Sequence, residues 1–429
     1  MTLTSTADST TRNHARALDA ADPLRGFRER FHVPTHPPTG EAVVYLTGNS
    51  LGLQPRAAAE YVRAELAHWA EHGVEGHFRE PSQWVDYHRF LTEPLARLVG
   101  AKPSEVVAMN TLTVNLHLLL ISFYRPTRQR YKLLLEGGAF PSDQYAAESQ
   151  VRLHGFDPAD AIVELLPRPG EHTLRPDDIE ATIREHGGTL ATVLLGGVNY
   201  YTGQFFDMAA ITRWGHEVGA TVGFDLAHAA GNVPLRLHEW GADFACWCSY
   251  KYLNSGPGGV SGVFVHERHA HRPDLPRLAG WWGHDPAVRF RMEAGFRPAP
   301  GAEGWQLSNA QVLPMALHRA ALAVVDDAGG MTVLREKSVR LTAYLERLLH
   351  ELQLLTDTLD IITPTDPAQR GAQLSLLVGT DGRALFDALT AEGVVADWRE
   401  PNVIRIAPVP LYNSFEDCWR FADVLRRVV

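Results

Sequence analysis

Between residues 100 and 265, short apolar runs alternate with longer amphipathic stretches, and the runs lack the every-second-residue polarity of a strand with one wet face. Such runs are strands buried on both sides, and their alternation with helices is the signature of a mostly parallel sheet. Residues 105–109, 131–135, 192–195, 221–224, 242–248 and 260–265 read as the strands. Helix signals fall between them. An apolar helix follows Asn110-Thr111-Leu112-Thr113, and another begins near Ser142. A third has Pro176 at its first position, Asp177 and Asp178 in its first turn, and Gly187-Gly188 as its stop. Asp207 reads as the N-cap of a fourth, which runs to Gly219.

The flanks differ. Residues 56–72 read as an amphipathic helix with Val62, Leu66 and Trp69 at helical spacing, and residues 267–300, dense in Pro, Gly, Arg and Trp, read as long loop. From residue 312 a helical pattern returns and leads into an α+β part, with strands at 373–378 and 402–406, a helix at 383–392 and a final helix. The expected class is therefore α/β. The expected division is an N-terminal segment (1–55), a large unit (56–311) and a smaller C-terminal unit (312–429). There is no internal repeat.

Composition narrows the function class. The chain has 429 residues, enough for two unequal domains, and 21% charged residues, as in ordinary globular enzymes. A net charge of -10 without a basic cluster argues against a nucleic-acid partner. The apolar stretch 116–123 is too short to span a bilayer and contains His117. Residues 1–21, rich in Ser and Thr and lacking an apolar core, read as a flexible arm instead of a secretory signal. Cys246, Cys248 and Cys418 form no disulfide framework and fit a reducing compartment, so a cytoplasmic enzyme is expected. Cys246 and Cys248, alternating with Trp247 in a strand, read as buried thiols on one face.

Candidate chemistry gathers at the strand ends. Lys251, in Ser249-Tyr250-Lys251-Tyr252, stands between one buried strand and the glycine-rich Gly256-Pro257-Gly258-Gly259 that opens the next. Desolvation there disfavours an ammonium, which suits an amine that forms a Schiff base. Asp225, in Asp225-Leu226-Ala227-His228, ends the preceding strand. A carboxylate beside a pyridine nitrogen favours its protonated form, so the pair points to pyridoxal phosphate. Thr111, Leu112 and Thr113 lie at a strand-to-helix junction, where free backbone N–H groups bind anions. Phe140, at the next such junction, could cover one face of a planar ring. Arg405, a charge inside the apolar Ile404-Arg405-Ile406, either clamps a substrate carboxylate or sits in a structural ion pair.

Three other motifs compete. Gly48-Asn49-Ser50-Leu51-Gly52 matches a nucleophile elbow but precedes the main α/β alternation. The segment 256–262 resembles a dinucleotide loop, yet it carries Ser261 where the third glycine belongs and leads to a strand. His266, His269 and His271, with Glu267 nearby, fit no recognised metal-ligand spacing and read as exposed loop, so no metal site is expected.

Gly48-Asn49-Ser50-Leu51-Gly52-Leu53-Gln54-Pro55, Phe140-Pro141-Ser142-Asp143, Tyr201-Thr202-Gly203-Gln204, Gly223-Phe224-Asp225-Leu226-Ala227-His228-Ala229, the block from Ala245 to Asn254 and that from Arg405 to Ser414 together resemble the kynureninase family. The resemblance runs from about residue 25 to the C-terminus. It implies a fold-type-I, pyridoxal-phosphate-dependent transferase-like fold, with the N-terminal segment joining the small domain. It also implies a cytoplasmic homodimer that hydrolyses kynurenine, or its 3-hydroxy form, to anthranilate or 3-hydroxyanthranilate and alanine. Such enzymes serve the kynurenine pathway of tryptophan catabolism or NAD biosynthesis. By this resemblance Lys251 is the Schiff-base lysine and general base, Asp225 the ring-nitrogen partner and Tyr250 the acid. Phe140 stacks on the ring, with Asp143 and His228 beside it. Leu112, Thr113, Tyr250, Trp281 and Asn309 surround the phosphate, the last two donated by the other subunit. Arg405 clamps the α-carboxylate, while Ser50, His77 and Asn309 face the aryl ring. Gly196 stands where some relatives carry a serine. Other fold-type-I enzymes, a cysteine desulfurase or an aminotransferase, remain the alternative.

Overall fold

The computed structural model describes residues 10–272, 274–353, 359–379 and 381–429. Its centre is a seven-stranded sheet built from β1 (Val106–Met109), β2 (Lys132–Glu136), β3 (Ile162–Leu165), β4 (Leu190–Gly196), β5 (Thr221–Asp225), β6 (Phe244–Trp247) and β7 (Ser261–Val265). The spatial order is β1-β7-β6-β5-β4-β2-β3. Only β7 runs antiparallel to its neighbours. Every residue of β1, β6 and β7 is buried, which is why these strands read as unbroken apolar runs. The edge strand β3, half-exposed along most of its length, gave no such run in the sequence. Apolar cores fill both faces of the sheet.

A second, four-stranded antiparallel sheet comprises β8 (Leu359–Ile361), β9 (Leu374–Val378), β10 (Asp397–Arg399) and β11 (Val403–Ile406), in the order β8-β9-β11-β10. It has its own core, which also takes in Ala15, Val44 and Leu46. The N-terminal segment reaches this core through a separate two-stranded sheet, in which Val44 and Tyr45 pair in parallel with Val394 and Val395.

Four expectations are corrected. Residues 1–9 of the expected flexible arm lie outside the described residues, and Arg12–Ala20 is ordered as helix α1 against the last helix (Phe415–Val428). Asp19 accepts hydrogen bonds from the Phe415 and Glu416 N–H groups at 2.7 and 2.9 Å, a carboxylate set on the positive end of a helix dipole. Helix α2 (Ala58–His72) turns Leu66 and Trp69 outward and buries Glu65 and His68 instead. The polar pair is satisfied inside: Glu65 accepts from Trp84 Nε1 and Tyr87 Oη, and His68 bonds the Gly76 carbonyl. The helix Val312–Asp327, expected in the smaller unit, packs on α2 and on α3 (Arg89–Val99) and puts Met315, Leu322 and Val325 into the large core.

The fourth correction concerns the histidines. His266 and His269 are largely buried, not exposed. Nε2 of His269 donates to Asp243 Oδ1 at 2.8 Å. Glu105, His238 and His266 approach one another closely enough to suggest a metal, but their atoms already serve the fold. Glu105 accepts the N–H groups of Lys102 and Glu267 as well as the His238 ring, and His266 Nδ1 accepts the Arg268 N–H.

Candidate active site

The carboxyl ends of the parallel strands converge on one edge of the sheet, the usual place for a site in an α/β fold. β1 leads there into Thr111 and helix α4 (Leu112–Phe123), β2 ends at Glu136, β4 at Gly196 and β5 at Asp225, and β6 leads into Ser249-Tyr250-Lys251. Together they wall a cleft of about 230 Å³. Leu112, Thr113, Phe140, Asp143, Asp225, His228, Tyr250 and Lys251 all line it. The sequence scattered these eight residues over 140 positions, and the strand order brings them together.

Lys251 is half-buried, not sealed in the core as its apolar neighbours suggested. Its Nζ lies 3.0 Å from His228 Nε2 and 5.9 Å from the centre of the Phe140 ring. His228 is 6% exposed, and burial, with Lys251 and Arg405 adding to it, pushes its imidazole well below the ordinary histidine range. A neutral ring can accept a hydrogen bond from Lys251, where a charged one would repel it. The turn carrying Lys251 is braced from the N-terminal segment: Gly52 donates its N–H to the Tyr250 carbonyl at 2.8 Å. A Cβ at Gly52 would collide with the Lys251 carbonyl, so this approach requires glycine.

At the other end, Asp225 accepts the Ala227 N–H at 2.7 Å. Asp143 and Asp225 share a hydrogen bond, and burial followed by the Asp225 charge drives Asp143 well above the carboxylic range. Burial also raises Asp225, but the Ala227 N–H, Lys251 and Asp143 oppose it. The shared proton therefore resides on Asp143 and the charge on Asp225. Tyr250 is held protonated by burial first, then by Cys248 beneath it.

These residues fit pyridoxal phosphate. The free N–H groups at the start of α4, where Thr111 makes no side-chain cap, offer an anion site. Asp225 offers a carboxylate to a ring nitrogen, the Phe140 ring (41% exposed) stands at the rim in edge-to-face contact with Tyr200 at 5.3 Å, and buried His228 Nδ1 has no partner among the described residues.

Other expected residues lie outside the cleft wall. Trp281 and Asn309 are exposed, while Ser50 and His77 are half-buried. Among the described residues no histidine or carboxylate bonds the Ser50 hydroxyl, so the nucleophile-elbow match has no triad behind it. Arg405 is also outside the wall. It is 1% exposed, pairs with Asp397 at 2.6 Å and donates Nη1 to the Tyr200 carbonyl at 2.6 Å, while its Nε has no partner among the described residues. Tyr200 connects it to the cleft, since its ring lines the wall and lies 6.0 Å from the guanidinium.

Glu136, Asn199 and Tyr200 were not anticipated. Glu136 could have been found, because it ends an apolar strand just as Asp225 does. Asn199 and Tyr200 belong to a turn whose composition carries no chemical signal.

Chains of the same fold include a C-DES variant with glycine covalently linked to its PLP cofactor, at a TM-score of 0.76 and 18% identity over 93% of this chain and 98% of that one. An apo cysteine desulfurase from Thermococcus onnurineus NA1 matches at a TM-score of 0.74 and 17% identity, covering 94% and 97%. The fold is thus that of the fold-type-I pyridoxal-phosphate enzymes, but a desulfurase needs an accessible thiol and Cys246, Cys248 and Cys418 are all buried. A family model, the kynureninase C-terminal domain, matches residues 334–425. Kynureninase from Koribacter versatilis is 56% identical over 98% of both chains, and that from Myxococcus xanthus is 59% identical over 96% of both. With identity at that level along nearly its full length, the chain belongs to the kynureninase family.

Proposed function

We propose that this enzyme hydrolyses the Cβ–Cγ bond of L-kynurenine, or of 3-hydroxykynurenine, giving anthranilate or its 3-hydroxy form and L-alanine. The observation that carries the reading is Lys251 facing Phe140 and Asp225 in a single cleft, with the α4 N-terminus completing the wall. When bound there, pyridoxal phosphate supplies an electron sink next to the substrate's α-carbon. Asp225 stabilises positive charge at the ring nitrogen. Lys251 acts as the base that removes the α-proton, with neutral His228 accepting a hydrogen bond from it. Arg405 binds the α-carboxylate and fixes that carbon in reach of Lys251.

Hydrolysis adds the elements of water across the broken bond. The γ-carbon keeps the hydroxyl and leaves as a carboxylic acid, and the β-carbon takes a proton and leaves as the methyl of alanine. Tyr250, kept protonated by burial, is the donor for that carbon.

The active unit is a homodimer in this reading. The exposed Leu66, Trp69, Phe78, Trp281 and Phe290 support it, and so does the absence of Trp281 and Asn309 from the cleft wall within one chain. Trp281 and Asn309 then close the phosphate end from the partner, and Ser50, His77 and Asn309 contact the aryl ring. Among the described residues no helix is long and apolar enough to cross a membrane. Three unpaired cysteines fit a reducing compartment, and we place the enzyme in the cytoplasm.

The test is direct: add L-kynurenine to the purified protein loaded with pyridoxal phosphate and follow anthranilate fluorescence. Cofactor bound without anthranilate formation overturns the assignment.

A further inference from the structure

Glu136 is a buried carboxylate that the reaction above does not use. It is 5% exposed and stands beside two further carboxyl groups, Asp143 and Asp225. A third acid in so dry a place is costly unless both oxygens are satisfied. They are. Oε1 accepts the Gly196 N–H at 2.5 Å and Oε2 accepts Asn199 Nδ2 at 2.6 Å.

The sheet explains how the side chain reaches both. β4 lies between β2 and β5, so Glu136 must cross the end of β4 at Gly196. A Cβ at Gly196 would lie 2.7 Å from Oε1. The missing side chain at residue 196 is therefore the space that Glu136 occupies.

Asn199 in turn is fixed from its other end. Its Oδ1 accepts the N–H groups of Tyr201 and Thr202 at 2.9 and 2.8 Å and the Thr202 hydroxyl at 3.1 Å. An amide holding three donors on its oxygen cannot flip, so its NH₂ must find an acceptor where Glu136 stands. Within the turn so held, the Tyr200 carbonyl accepts Arg405 Nη1 at 2.6 Å, and the Tyr201 carbonyl accepts the Ser375 hydroxyl at 2.6 Å.

The geometry points to Glu136 as a positioning residue for the substrate-carboxylate clamp: reaching over Gly196, it locks the Asn199–Thr202 turn and, through the Tyr200 carbonyl, sets the place of Arg405. The inference rests on the reading of Arg405 as that clamp. A carboxylate is required because both neighbours are donors. A glutamine would offer its oxygen to one and press its own NH₂ against the other.

The test compares Glu136→Gln, Gly196→Ala, the double variant and Arg405→Lys, all as holoenzyme, with L-kynurenine. KM rises about tenfold in Glu136→Gln and in Gly196→Ala, with kcat within about threefold of the parent, because binding of the carboxylate suffers and the chemistry at Lys251 does not. The double variant is no worse than the worse single one, since both break the same link. L-Alanine, titrated against the cofactor absorbance, binds about tenfold more weakly in the same variants. Pyridoxal phosphate binding to the apoprotein, followed by tryptophan fluorescence, stays within about threefold. Gly196→Ala leaves the acid in place, so it decides the matter if Glu136→Gln does not fold. An unchanged KM and alanine affinity overturn the inference, as does a parallel loss of cofactor affinity, which would assign Glu136 to the ring-nitrogen cluster. If Arg405→Lys also leaves KM unchanged, it is the clamp reading itself that fails.

Discussion

In the proposed reaction Tyr250 serves the β-carbon and Arg405 the α-carboxylate, and kinetics separate the two roles. Burial keeps the Tyr250 phenol protonated, as the proposed proton donor to the β-carbon must be. Tyr250→Phe should lower kcat by about 10²–10⁴, the range for a lost general acid, while leaving KM within a few-fold. Turnover equal to the parent's would remove Tyr250 from the chemistry. Arg405 presents a planar fork tied to Asp397 and to the Tyr200 carbonyl. A lysine cannot keep both ties and also offer two parallel hydrogen bonds to a carboxylate. With about 1.5–3 kcal/mol at stake per charged hydrogen bond, Arg405→Lys should cost about 10–100-fold in kcat/KM, mostly through KM. A loss confined to kcat would point to a structural ion pair instead.

Among the elements, the helix Val312–Asp327 carries an unusual load. His318 on it is fully buried, and neither ring nitrogen has a partner among the described residues. Desolvation pulls its pKa down to about 3. In the unfolded chain it titrates near the ordinary value of about 6.5. Between those values the unfolded state binds a proton that the folded state refuses, so this group makes stability fall as pH drops from about 6.5 toward 3. Above that window it has no pH effect. His318→Leu should raise the melting temperature by a few degrees at pH 7.5, because it removes two unpaired polar atoms worth about 1–3 kcal/mol each way. Its advantage should widen at pH 5.5. Buried His228 contributes with the same sign in both proteins, so the difference between parent and variant isolates His318. A pH-independent difference would refute the argument.

The same helix shows where sequence reading stops. Strands buried on both faces are legible because every position must be apolar, and so Asp225 and Lys251 stood out at their ends. The Asp207 cap was legible for a comparable reason: a local hydrogen bond, to the Ala210 N–H at 3.0 Å, dictates the residue type. Helix α2 was misread because periodicity reports an apolar stripe but not which way it faces. Glu65 and His68 turn inward only because Trp84, Tyr87 and Gly76, 8 to 22 residues away, satisfy them. Which core the Val312–Asp327 helix joins is likewise decided by α2 and α3, more than 200 positions upstream. In the site, Glu136 carried a readable signal, whereas its link to Arg405 exists only once β2, β4 and a distant turn are assembled.

At the scale of the whole molecule, the unanswered surface is aromatic. Phe78 and Phe290 meet edge to face at 6.0 Å, and Phe290 meets Trp281 at 5.5 Å, yet all three are about half exposed. Leu66 and Trp69 on α2 are exposed as well. Apolar side chains that contact one another and still face water mark an association surface more often than chance exposure. The proposed homodimer uses it, with Trp281 entering the partner's cleft, and that arrangement has an arithmetic consequence. A Lys251→Ala chain lacks the base, and a Trp281→Ala chain lacks what it donates to its partner. Each homodimer should be inactive or severely impaired. When the two are mixed, dissociated and reassociated, half of the dimers are hybrids, and in each hybrid one site pairs an intact Lys251 with an intact Trp281. Activity should therefore recover to about a quarter of the parent's, as the symmetry of an isologous dimer demands. Light scattering on the same samples should report about twice the chain mass throughout. If mixing returns no more than the average of the two inactive parents, each chain builds its site alone, and Trp281 acts within its own subunit.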